Sequence, residues 1–105
     1  MIKYLYFRNN QNDVAMIRTD RLADMTVTST TDLTLSFYSM VLTRGSATEL
    51  VLSTEENTGN TIMEAISDEI AFGEDAFIIV ADDHNDVYLH SDITALETTL
   101  SSNFT

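Results

Sequence analysis

No Lys or Arg occurs after Arg44, and the chain has no cysteine, proline or tryptophan. Without cysteine there is no disulfide, no thiolate metal site and no thiol nucleophile, and the redox compartment is left open. Without proline, and with glycine only at positions 45, 59 and 73, there is no Pro- or Gly-rich linker, so residues 1–105 read as a single domain. No apolar run approaches the roughly 20 residues of a membrane-spanning helix. The stretch from Met1 to Arg8 is aromatic and lacks the apolar h-region of a signal peptide, so the reading predicts no routing to secretion or into a bilayer. There is no G-x-G-x-x-G, P-loop or zinc pattern and no G-x-S-x-G elbow around any of the nine serines.

What is present is a charge split. Lys3, Arg8, Arg18, Arg21 and Arg44 stand against Asp13, Asp20, Asp24 and Asp32, so residues 1–48 carry about +1. Residues 49–105 hold thirteen carboxylates and no base, which brings the chain to its net charge of −12. Such a charge opposes direct binding to nucleic acid or to an anionic membrane surface. The expectation is one continuous acidic face, with the five bases gathered elsewhere.

Serine and threonine number 24, and 44% of residues are hydrophobic. Threonine suits half-exposed strands, because its branched stem fits the pleat while its hydroxyl meets water. Alternation predicts strands over 2–8, 14–18, 25–30, 33–40 and 49–54, with turns at 9–13, 31–32 and 43–46. Ile62, Ile66 and Ile70 share one face of a helix over 61–72, Thr61 and Glu64 form a capping-box pattern, and Gly73 stands where a left-handed C′ residue is common. A buried strand over 76–81 and a return strand over 87–90 flank a turn at 82–86. Residues 92–105 fit a C-terminal strand or arm. No repeating βαβ unit appears, so the fold class is α+β, mainly β: an antiparallel sheet or sandwich of about six to eight strands with one packed helix.

Asp82, Asp83 and Asp86 are weak candidates for a Ca²⁺ site, since that ion takes hard oxygen ligands. Counted from Asp82, however, Val87 and Ile93 occupy the positions where an EF-hand needs Gly and Glu, and a hairpin turn accounts for the same residues. His84 and His90 could join them in a metal site or pH switch, although His90 in Tyr-Leu-His-Ser is more often a hydrogen-bonded strand residue. No cofactor is called for. Tyr4, Tyr6, Phe7, Arg8, Arg18 and Arg21 are the candidate interface residues, because Tyr, Phe and Arg concentrate in buried interfaces. Strand aromatics are also ordinary core, and Tyr4/Tyr6 point opposite to Leu5/Phe7, so one strand can serve both ends. On the helix, Glu64 and Asp68 form a like-charge i,i+4 pair. Asp68 and Glu69 sit near the negative end of the dipole, an arrangement suited to a positive partner.

The opening MIKYLYFR, the Asn/Asp turn at 9–13 and the stretch FIIVADDHNDVYLHSDIT (77–94) resemble small virion proteins of marine bacteriophages, of the type that decorates or cements capsids. The resemblance implies a non-enzymatic structural protein that binds the major capsid protein and itself, as a homo-oligomer for which a trimer is the guess, on the capsid surface of the virion, and that is otherwise cytoplasmic in the host. The rival expectation is an acidic inhibitor that mimics nucleic acid and occupies the basic groove of a host nuclease or DNA-binding protein.

Overall fold

The computed structural model describes residues 2–38, 47–98 and 100. Strands β1 (Tyr4–Asn10) and β2 (Asp13–Arg18) make a hairpin, and a 3-10 turn (Thr19–Arg21) leads into β3 (Leu22–Ser29), β4 (Asp32–Tyr38) and β5 (Ala47–Thr54). Helix α1 (Gly59–Phe72) is followed by β6 (Phe77–Asp82), β7 (Val87–Tyr88) and β8 (Ile93–Leu96). The strands form two four-stranded sheets, ordered β2-β1-β6-β7 and β3-β4-β5-β8. The fold is α+β, mainly β, with a single helix among the described residues. The turn expected at 43–46 and the final residues 101–105 lie outside the described part.

One pairing is parallel, that of β1 with β6. Parallel neighbours need a long crossover, and here the intervening chain contains β2 through β5 and α1. All other pairings among the described residues are antiparallel.

The two sheets and the helix share one core. Leu5 and Phe7 of β1 meet Ile78 and Val80 of β6, Leu33, Leu35 and Phe37 of β4, Leu50 and Leu52 of β5, and Ile62 and Ile66 of α1. Phe7 and Phe37 lie edge to face across the sheets, with centroids 6.2 Å apart, a favoured aromatic geometry. Each such fully buried side chain contributes roughly 1.5–3 kcal/mol.

The C-terminal stretch is partly strand and partly clasp. β8 pairs with β5, the Val51 amide donates to Thr98 Oγ1 at 2.7 Å, and Leu100 is buried. The Leu100 amide donates to Asp13 Oδ2 at 2.9 Å, and the same oxygen accepts from Asn9 Nδ2. Residues 93–98 and Leu100 therefore pack against the body of the protein, and the expected arm beyond them lies outside the described residues.

Both ends of α1 differ from the sequence reading. The helix starts at Gly59, so Thr61 already lies inside its first turn and the Thr61–Glu64 capping box does not form. Thr58 is the N-cap, but its hydroxyl donates to the Glu55 carbonyl at 2.8 Å and makes no cap bond to the helix. A Cβ on Gly59 would come within 2.7 Å of Val27 Cγ2, so glycine lets the first turn sit against β3. At the other end Gly73 is extended (φ −66°, ψ 153°) rather than left-handed. Its need for glycine is steric, since a Cβ there would lie 2.5 Å from the Glu69 carbonyl oxygen.

The C-terminal carbonyls of α1 are bonded by Lys3, which lies next to β1. Lys3 Nζ donates to Glu69 O at 3.0 Å and to Gly73 O at 2.7 Å, and the residue is only 7% exposed. Cations at a helix C-terminus oppose its negative dipole end, and α1 has none in its last turn. Lys3→Met keeps most of the aliphatic stem and removes the donor. It is expected to cost about 2 kcal/mol and lower Tm by roughly 8–16 °C. Thermal denaturation followed by circular dichroism checks this, and an unchanged Tm would refute the capping role.

Candidate interaction face

The pleat of β1 sends Leu5 and Phe7 inward and Tyr4, Tyr6 and Arg8 outward. Residues directly opposite in neighbouring strands share a face. Tyr4, Tyr6 and Arg8 pair with Arg18, Met16 and Val14 of β2, while Tyr4 and Tyr6 pair with Phe77 and Ile79 of β6. The outer face of this sheet is therefore aromatic and aliphatic, with an arginine toward each end. Val14, Met16 and Phe77 are 45%, 55% and 48% exposed. Tyr6 rests against Phe77 with ring centroids 4.9 Å apart. Single exposed apolar residues are ordinary on a protein surface, whereas a contiguous set rimmed by polar groups marks an interaction site.

Four of the six expected interface residues, Tyr4, Tyr6, Arg8 and Arg18, meet on this face. Phe7 does not: it is 0% exposed and belongs to the core, because it occupies the opposite parity of the same strand. Arg21 sits half-buried in the 3-10 turn beyond β2, off the sheet. Arg8 donates to the Asn10 and Gln11 carbonyls and so steadies the β1–β2 turn. Arg18 pairs with Asp20 at 3.0 Å. Val14, Met16, Phe77 and Ile79 escaped the sequence reading. The alternation Val14-Met16-Arg18 was the available signal in β2. In β6 the unbroken run FIIVA concealed which residues face outward.

The acidic turn after β6 is structural in its bonding. Asp82 is buried and accepts from the Asn85 backbone N–H at 3.1 Å and from Asn85 Nδ2 at 3.0 Å. Asp83 accepts from the Tyr88 hydroxyl at 2.7 Å and from the Leu96 amide at 3.1 Å, joining the turn to β8. Asp86 is exposed and takes a positive φ of 55°. His84 is exposed, and His90 Nδ1 accepts from the Asp92 amide at 3.1 Å. Among the described residues no three His, Asp or Glu side chains converge as metal ligands. An open groove of about 500 Å³ between the end of β3 and the start of α1 is lined by residues such as Thr28, Ser29, Asn57 and Asn60, none of them titratable.

The linear charge split is partly folded away. Lys3 docks on the helix of the acidic segment, and Asp13 and Asp82 are buried. The neighbouring Asp32 carboxyl, followed by burial, raises the Glu97 pKa above its ordinary value. Glu64 and Asp68 remain exposed on α1. Among the described residues the only Lys or Arg paired with a carboxylate is Arg18, with Asp20, so neither Lys nor Arg pairs with either helix carboxylate.

No protein-family model, no curated protein and no solved structure matches this chain. The described residues show a β-rich protein with exposed apolar side chains on the outer face of its first sheet.

Burial, followed by the hydrogen bond to Asp83 and that carboxylate's charge, pushes the Tyr88 phenol well above its usual 10.0. A raised folded value means that stability from this linkage is fully present below pH 10.0 and is lost as pH climbs through the folded value. In a spectrophotometric titration, one of the four tyrosines should ionise last, and Asp83→Asn should bring it down toward the others. A late transition unmoved by Asp83→Asn would show that the bond does not hold the proton.

Proposed function

We propose that this protein is a non-enzymatic structural component of a bacteriophage virion, which binds the major capsid protein and itself on the capsid surface. The observation that carries this reading is the outer face of β2-β1-β6, where Tyr4, Tyr6, Met16, Val14, Phe77 and Ile79 lie together between Arg8 and Arg18. Rigid aromatic anchors with flanking arginines are the usual energetic centre of a protein interface. A sheet face is also preorganised, so little side-chain or backbone ordering is needed on binding. The likeness of MIKYLYFR and the 77–94 stretch to phage decoration proteins points to the same class.

The test is cosedimentation with shells assembled from the purified major capsid protein of the source phage. Wild type is expected to pellet with shells. The double change Tyr6→Ser/Phe77→Ser should weaken binding by at least about tenfold, equivalent to ~1.4 kcal/mol, while the protein stays folded by circular dichroism. Wild type left in the supernatant, or a double variant that binds as wild type does, would overturn the reading.

The exposed, cation-free Glu64 and Asp68 favour a second reading, an acidic mimic of nucleic acid that occupies a basic groove. It expects binding to a basic nuclease or DNA-binding protein to fall steeply with salt and to weaken with Glu64→Gln/Asp68→Asn. Salt-independent binding, or none, measured by calorimetry over a salt series would remove it.

A further inference from the structure

The first sheet ends at β2, and the direction of its backbone groups follows from its neighbours. Tyr4 N–H donates to Ala76 O at 2.8 Å, and Asp83 N–H donates to Arg8 O at 2.8 Å. Even-numbered residues of β1 therefore bond toward β6. Thr19 N–H donates to Lys3 O at 3.0 Å, which places the odd-numbered pairs Leu5–Ile17 and Phe7–Ala15 at the hydrogen-bonded positions of the β1–β2 ladder. On β2 the N–H and C=O groups of Val14, Met16 and Arg18 consequently point away from the sheet, along an edge that pairs with no other strand among the described residues.

The other edges are guarded. β3 has register irregularities at both ends and carries the start of α1 against Val27. β7 is two residues long and β8 four. Short strands, irregularities and covering elements are the ordinary protections against edge-to-edge pairing. Over Val14–Arg18 the pairing of β2 with β1 is regular and contains no proline or lysine.

Resting on the reading of this sheet as an interaction surface, we infer that two copies of the chain join edge to edge through β2. They pair antiparallel about a two-fold axis at Met16, into one continuous eight-stranded sheet. Parity selects the register. Paired residues must share a face and both must aim their backbone groups outward, and centring on Met16 keeps the whole Val14–Arg18 stretch in the ladder. Met16 then faces its own copy and Val14 faces Arg18 of the other, with about six interchain hydrogen bonds. No like charges stand directly opposite. On a chain of charge −12, the charged residues of the outer face along this edge are Arg8 and Arg18, the latter already paired with Asp20 at 3.0 Å. Self-pairing of this kind is isologous and closes as a dimer, in place of the guessed trimer. It also doubles the aromatic face offered to a third partner.

Sedimentation equilibrium over a wide concentration range is expected to give a dimer. Met16→Pro removes an outward N–H without removing a bond of the hairpin, a change that edge strands tolerate. It should weaken dimerisation by about two orders of magnitude. Met16→Lys and Met16→Glu should each be monomeric, because the axis sets like charges opposite one another, and an equimolar mixture should restore the dimer. Hydrogen exchange should show the Val14, Met16 and Arg18 amides protected only in the dimer, with the Ala15 and Ile17 amides protected in both states. A wild-type monomer, a charge-swapped mixture that stays monomeric, or new protection on β3 instead of β2 would overturn the inference. A monomer that still pellets with capsid shells sinks the edge pairing and leaves the proposed function standing. A dimer that ignores shells does the reverse. Tyr6→Ser/Phe77→Ser should remain dimeric throughout.

Discussion

The register of β1 is the constraint on which the rest depends. This strand is held antiparallel by β2 and parallel by β6, so its pleat has no freedom to slip. A shift of one residue would exchange Leu5 and Phe7 for Tyr4 and Tyr6, burying phenol hydroxyls and exposing the two side chains that join the sheets. The same alternation that builds the core thus builds the outer face. Core and interaction surface are two sides of one strand, and a change to either is felt by the other through seven residues of backbone.

Lys3 extends that constraint to the helix. It precedes β1 by one residue, yet its ammonium serves carbonyls 66 and 70 positions later. The acidic C-terminal turn of α1, which looks unfavourable when Asp68 and Glu69 are considered alone, is thereby supplied with a cation by the tertiary fold. Burying an ammonium is costly unless it is hydrogen-bonded, and its two carbonyl acceptors meet that need. The strand order of the first sheet and the end of the helix are therefore tied at one point.

The polar turn after β6 shows how much acidity a small β protein spends on its own architecture. Asp82 holds its own turn, Asp83 reaches β8, and Asp13 gathers Asn9 and Leu100. These carboxylates act as hydrogen-bond acceptors where strands leave amides without a ladder partner. The carboxylates left over, on α1 and in exposed loops, set the sign of the surface. The face made by β2, β1 and β6 stands apart from them in carrying arginine and aromatic side chains.

Local pattern was enough for the strands of the two hairpins, the β4–β5 pair, the single helix to within two residues of its start, and the apolar parity of β1, because periodicities of 2 and 3.6 are written along the chain itself. It was enough, too, for a turn between β6 and β7. Only the tertiary structure decided that β6 lies beside β1, that Phe77 and Ile79 complete the outer face, that Phe7 is core, and that Lys3 rather than a left-handed Gly73 finishes the helix. The reason is physical. Which strand pairs with which depends on contacts between residues far apart in sequence, whose free energy is shared among all the packed elements and leaves no mark in any one local stretch.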